Sequence, residues 1–124
     1  MRPHEKLEVW CKAVEMVVTV YKLTETLPKE EKFGLTSQIR RAAVSVPANI
    51  AEGAARQSAK EFLQFLSIAQ GSASELETEL LIAYRLNYLN ESNYLQTRAM
   101  LDDVGRMLVG LSQHLKRKEI SSNK

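Results

Sequence analysis

The chain has 124 residues, long enough for one domain that buries roughly two thirds of its unfolded surface without metal or disulfide support. Its 44% hydrophobic and 26% charged residues exclude a disordered chain, and a formal net charge of +2 is too small to argue whole-molecule attraction to nucleic acid or anionic lipid, so only the distribution of charge can matter. Cys11 is the sole cysteine, which excludes an intramolecular disulfide and a cysteine metal cluster and fits a reducing cytoplasm.

The opening residues, Met1 to Lys6, lead into a charged amphipathic segment rather than an apolar secretory core. No run approaches the roughly 20 apolar residues that span a bilayer, so a soluble, membrane-free protein is expected. A first helix is predicted over about 5–27, with Leu7, Trp10, Val14, Val17, Tyr21 and Thr24 as its seam and Pro28 closing it.

After a charged turn, Thr36 is the expected cap of a second helix over about 36–57. Pro47 inside it removes one ladder hydrogen bond and predicts a kink. On a wheel of roughly 100° per residue, Gln38, Arg41, Ser45, Asn49, Glu52 and Arg56 share one stripe, and Leu35, Ile39, Ala42, Val46, Ile50 and Gly53 another. The first stripe predicts a polar ladder that fixes helix register when partly buried. The remaining side holds Arg40, Val44, Pro47, Ala48, Ala51 and Ala55, where an exposed helix would carry Lys, Glu or Gln. Such a face predicts a cover, and hence self-association.

Ser58 with Glu61 three residues later makes a capping box for a third helix over about 59–86, its seam Phe62, Leu66, Ala69, Ala73, Leu76, Leu80 and Ala83. A polar break at 87–91 precedes Ser92, the expected cap of a fourth helix over about 92–118. Its Tyr94, Thr97, Leu101, Val104, Leu108, Leu111 and Leu115 alternate three and four steps. Residues 119–124 are expected as a frayed basic tail. Short connectors make sequential helices antiparallel, so the fold class is all-α, an up-down-up-down antiparallel four-helix bundle in a single domain spanning 1–124.

Catalytic chemistry finds no complete residue set. A di-iron bundle needs Glu-x-x-His pairs, but only His4 and His114 are present and neither follows a Glu by three. Arg106 and His114 are eight residues apart and about 80° out of phase, unlike the closer Arg and His pair of helical HEPN-type ribonucleases. The five glycines match neither phosphate loop nor dinucleotide fingerprint. Glu75 and Glu79 read as a solvated face, His114 as a partner of the helix dipole, and Cys11 as a buried or inert thiol. A non-enzymatic protein without cofactor or metal is expected.

Basic residues cluster locally. Arg40, Arg41, Arg56 and Lys60 meet one acid, Glu52, between 36 and 60, and Lys116, Arg117, Lys118 and Lys124 meet only Glu119. Such patches contact phosphate through guanidinium forks and ammonium groups. No aromatics interleave with them, so any RNA or DNA binding should be salt-sensitive and weakly sequence-specific. The competing expectation is a protein-interaction scaffold in which these charges order the bundle.

Leu7-x-x-Trp10, Tyr21 and Pro28 are followed by Gln38-Ile39-Arg40-Arg41-Ala42-Ala43-x-Ser45-x-Pro47-x-Asn49-Ile50-Ala51-Glu52-Gly53, then by Glu61-Phe62, Ala69-x-Gly71-Ser72 and Glu75-Leu76. These motifs, from about Leu7 to Leu115, resemble the four-helix-bundle proteins encoded in bacterial 23S ribosomal RNA intervening sequences. The accessory variability proteins of diversity-generating retroelements share the resemblance. It implies a homopentameric barrel, with Val44, Ala48, Ala51 and Ala55 at or near the protomer contact, and supplies no catalytic residue. In the retroelement branch it implies a basic surface used with a reverse transcriptase and nucleic acid. The near-neutral charge departs from that branch and favours the intervening-sequence one.

Overall fold

The computed structural model describes residues 1–122, so Lys124 lies outside the described residues. A 3-10 turn, Pro3–Lys6, precedes four helices: α1 (Glu8–Thr24), α2 (Leu35–Ala54), α3 (Ala59–Arg85) and α4 (Glu91–Ser122). A second 3-10 turn, Lys29–Glu31, joins α1 to α2. Each helix packs on its two chain neighbours, with α4 closing on α1, while among the described residues α1 and α3 do not meet across the diagonal. Four elements in this cyclic order make a four-helix bundle.

Specific contacts set the antiparallel register. Arg40 of α2 meets Thr24 of α1, Ser45 of α2 meets Ser72 of α3, and Arg98 of α4 meets Glu77 of α3. The N-termini of α1 and α3 therefore share one end of the bundle with the C-termini of α2 and α4. Along the axis runs a core of aliphatic side chains in which Met16, Ile39, Ile50, Leu66, Leu76, Leu80 and Leu108 are fully buried.

The seams of α2, α3 and α4 follow the three-and-four spacing of the sequence. That of α1 keeps the spacing but lies on a different stripe from the one read in the sequence. Its buried stripe is Val9, Ala13, Met16, Val20 and Leu23, while Val14 and Tyr21, assigned to the seam from sequence, are exposed. Both sets keep three-and-four spacing, because α1 confines its charged residues to the single stripe Glu8, Lys12, Glu15 and Lys22. The apolar arc is wider than one core contact needs, so periodicity alone cannot choose its centre.

Helix starts also differ from their sequence signals. Thr36 does not cap α2: the Leu35 N–H donates to Glu31 Oε1 at 3.1 Å, from the turn before it. At α4 the cap is Asn90, whose Oδ1 accepts from the Asn93 N–H at 2.7 Å, and not Ser92. Ser58 does cap α3, accepting from the Glu61 N–H at 3.1 Å. The α3 C-terminus closes on Asn87 at φ 65°, with the Asn87 N–H bonded to Tyr84 O and the Tyr88 N–H to Ala83 O. This is a Schellman closure, and asparagine tolerates its left-handed position better than most residues. α2 stays continuous through Pro47, which is buried. α4 remains helical to Ser122, so 119–122 is an extension of the bundle rather than a frayed tail, and His114 stands well before the helix end.

Candidate oligomer and nucleic-acid interfaces

The small-residue face of α2 stays uncovered in the single chain. Val44 is 42% exposed, Ala48 and Ala55 are exposed and Ala51 is half-buried, whereas Pro47 turns into the core. Arg40, at the head of this stripe, lies over the ring of Tyr21 with 4.6 Å from its guanidinium carbon to the centroid. Tyr21 belongs to the second apolar stripe of α1, together with Val14 and Val18. Tyr21 is 41% exposed and Val18 49%. The Arg40–Tyr21 contact therefore brings two stripes together: Val14, Val18 and Tyr21 of α1 beside Val44, Ala48 and Ala51 of α2. Sequence periodicity places Val14 and Tyr21 in the core, and only the packing reveals them as half of one outward apolar surface.

The basic residues split into two groups. Arg40 is half-buried: its Nε donates to Thr24 Oγ1 at 2.8 Å and its NH2 donates to the Tyr21 carbonyl at 3.1 Å. It clamps α1 to α2. Arg41 is exposed beside it and makes no hydrogen bond or ion pair among the described residues. At 1.5 Å per residue, Arg40 lies about 21 Å along α2 from Ala54, so these two arginines stand apart from the helix end. Arg56 is at that end, paired with Glu52 at 2.8 Å and lying 4.8 Å over the ring of Phe65.

Lys60 opens α3 at the same end, and Lys116, Arg117 and Lys118 on α4 arrive there because α3 and α4 are antiparallel. Lys116 borders a groove with Leu63 and Ser67 of α3. All four are exposed, and so are Arg2 and Lys6 at the start of the chain. Two clusters more than fifty residues apart in sequence thus meet at one end of the bundle.

The polar stripe of α2 breaks into pieces. Ser45 Oγ lies 2.8 Å from Ser72 Oγ, and Asn49 Nδ2 donates to the Ser45 carbonyl at 2.8 Å and to its hydroxyl at 3.0 Å. Glu52 and Arg56 pair separately, and Gln38, like Arg41, is exposed. What remains connected is Ser45, Asn49 and Ser72, a triad that spans two helices. A wheel of α2 alone could not include Ser72.

For two further residues the structure decides burial: the buried alternative falls for Cys11, and the solvated face falls for Glu79. Cys11 is exposed, with its thiol toward the Glu5 carbonyl at 3.9 Å. Glu79 is not on a solvated face: it is 7% exposed, with Oε1 buried and without a hydrogen-bond partner. Burial, together with the neighbouring Glu75 carboxylate, pushes its carboxyl up to about 7. Among the described residues no group of three or more His, Cys, Asp or Glu is placed to hold a metal, and no helix is long and apolar enough to cross a membrane.

The family model described as 23S rRNA-intervening sequence protein matches residues 5–110. The chain belongs to that family. A solved relative is a protein of unknown function from the S23 ribosomal protein family of Bacteroides thetaiotaomicron VPI-5482, 27% identical, with a TM-score of 0.76. The match covers 84% of this chain and 97% of that one. No curated protein matches. The matched residues include the whole Gln38 to Gly53 stretch that builds the α2 faces.

Proposed function

We propose that this protein is a non-enzymatic homo-oligomer of the cytoplasm that assembles through the α1–α2 face and presents its basic ends to RNA. The observation that carries assembly is the paired stripe of Val14, Val18, Tyr21, Val44, Ala48 and Ala51, aligned by the Arg40–Tyr21 contact. Burying such a surface removes apolar area from water at about 25 cal/mol per Å². A ring of copies would repeat the cluster of Arg56, Lys60, Lys116, Arg117 and Lys118 around one rim, and five is the number that the family resemblance implies. Repetition compensates for a small charge per subunit, because linked weak sites act at high effective concentration.

RNA is the ligand this reading favours, bound through phosphate and therefore weakened by salt. Retention of the assembled protein on fragments of 23S ribosomal RNA at low salt tests it. Loss of retention in a Lys60→Glu, Arg117→Glu variant that keeps its assembly state is the expected result. Equal retention by wild type and variant, or none by a correctly assembled wild type, would end the RNA reading.

A second reading is supported by the contacts that engage Arg40 with α1 and Arg56 with Glu52. A protein-interaction scaffold, or a reverse-transcriptase accessory protein, would use these charges to order its own helices. Such a scaffold would keep its protein partner when Lys60 and Arg117 are reversed.

A further inference from the structure

Glu79 sits on the side of α3 that faces α2. The Ser45–Ser72 contact fixes the register of the two helices and sets Glu79 opposite the α2 segment from Leu35 to Ala42. Its side chain is more than nine-tenths buried and one carboxylate oxygen has no partner. A buried carboxylate without a counter-ion is among the costlier arrangements in a fold, and it is normally relieved by a cation or by a proton.

Among the described residues no side-chain cation is in place to do so. Only α2 and α4 pack against α3 among the described residues. The charged residues on the facing stretch of α2 are Arg40, held by Thr24 and Tyr21 of α1, and Arg41, which is exposed and bonds to nothing among the described residues. On α4 the facing titratable groups are Tyr94 and Arg98, and Arg98 is engaged by Glu77 at 3.0 Å and by the Tyr94 hydroxyl at 3.1 Å. On α3 itself the charged residue one turn away is Glu75, another acid, within hydrogen-bonding reach of a protonated Glu79. Every neighbour thus leaves the proton as the remaining source of relief.

We infer that the folded protein keeps Glu79 protonated, with Glu75 the carboxylate in reach of that proton, and that losing the proton turns the α2–α3 contact into a latch loosened as pH rises. The direction follows from linkage. An unfolded glutamate titrates at the ordinary value of 4.5, the folded one at about 7, so between these values the folded state holds a proton that the unfolded state has lost. Folding stability contributed by this site is greatest below the lower value, falls as pH rises between the two, and levels off above the higher. One proton allows up to about a tenfold loss in the folding constant per pH unit.

Thermal or chemical denaturation of the full chain from about pH 5 to about pH 9, at one protein concentration, provides the test. Wild type should lose stability as pH rises from about 5 and level off above about 7. Glu79→Gln, which keeps the shape and cannot ionise, should flatten that dependence and exceed wild type at its alkaline end. Glu75→Gln removes the like charge and should move the levelling-off toward acid without abolishing the dependence. Side-chain carboxyl NMR of the wild-type protein reads the Glu79 titration directly and does not depend on any variant folding. A Glu79 resonance titrating at the ordinary 4.5, or parallel pH profiles for wild type and Glu79→Gln, would overturn the inference.

Discussion

The guanidinium of Arg40 is attached to Tyr21 twice, once through a hydrogen bond from NH2 to the Tyr21 carbonyl at 3.1 Å and once by lying 4.6 Å over its ring. A third bond, from Nε to Thr24 Oγ1, satisfies the same side chain from the next turn of α1. This arginine therefore serves the α1–α2 contact, and its planar fork does what a lysine could not do.

Replacing Arg40 by Ala should cost about 1–3 kcal/mol in chemical denaturation, from the hydrogen bonds and the cation–π contact together. Arg40→Lys should recover only part of it. RNA retention by refolded Arg40→Ala should stay within about twofold of wild type, since its charge is committed inside the bundle, and binding assays at matched assembly state check this.

Gly53 and Gly105 should respond oppositely to alanine. A Cβ on Gly53 would stand 2.8 Å from Phe62 Cδ1 and 2.9 Å from Phe65 Cβ, where α2 crosses the start of α3. Forcing those rings aside is an overpacking change of about 1–3 kcal/mol. At Gly105 a Cβ meets nothing within 4 Å, so alanine should stabilise α4 by up to about 1 kcal/mol through helix propensity. Paired urea melts of the two variants give both signs.

Asn49→Leu should lower the melting temperature, because it removes donors to the Ser45 carbonyl and hydroxyl in a half-buried position. The expected loss is about 1 kcal/mol. A Ser45→Ala, Asn49→Leu, Ser72→Ala triple variant should recover part of it, since removing all partners together leaves fewer groups unpaired. Calorimetry on the wild type, the single and the triple variant would show whether the triad couples.

The bundle was legible because the large aliphatic residues of α2 and the seams of α3 and α4 each fall on one three-and-four stripe, while in α1 Val14 and Tyr21 compete with Val9 and Met16 on equal spacing. The Ser58 cap was legible because Glu61 stands where a capping box needs it. Glu31 was not, because it caps α2 from the preceding turn, and Asn90 was not, because Ser92 two residues on offers the same cap chemistry. The fate of Arg40 depends on Tyr21 and Thr24, sixteen to nineteen residues away, and no reading of α2 alone supplies that. The burial of Glu79 was illegible for the same reason: its neighbours are set by the α2–α3 register, which Ser45 and Ser72 fix only once the helices are docked.

If the basic end engages phosphate, Lys60→Glu, Arg117→Glu should weaken binding similarly across RNA sequences. The slope of log affinity against log salt should fall by about one for each phosphate no longer engaged. Titrations at several salt concentrations measure both quantities.

Self-association through Val14, Val18, Tyr21, Val44, Ala48 and Ala51 is tested most directly by light scattering at micromolar concentration on wild type and Val44→Glu. A wild-type mass that is a multiple of the 14.0 kDa subunit, with a folded Val44→Glu protein shifted to the single-subunit mass, is the expected outcome. A wild-type protein that is fully folded and has the mass of one subunit would contradict it.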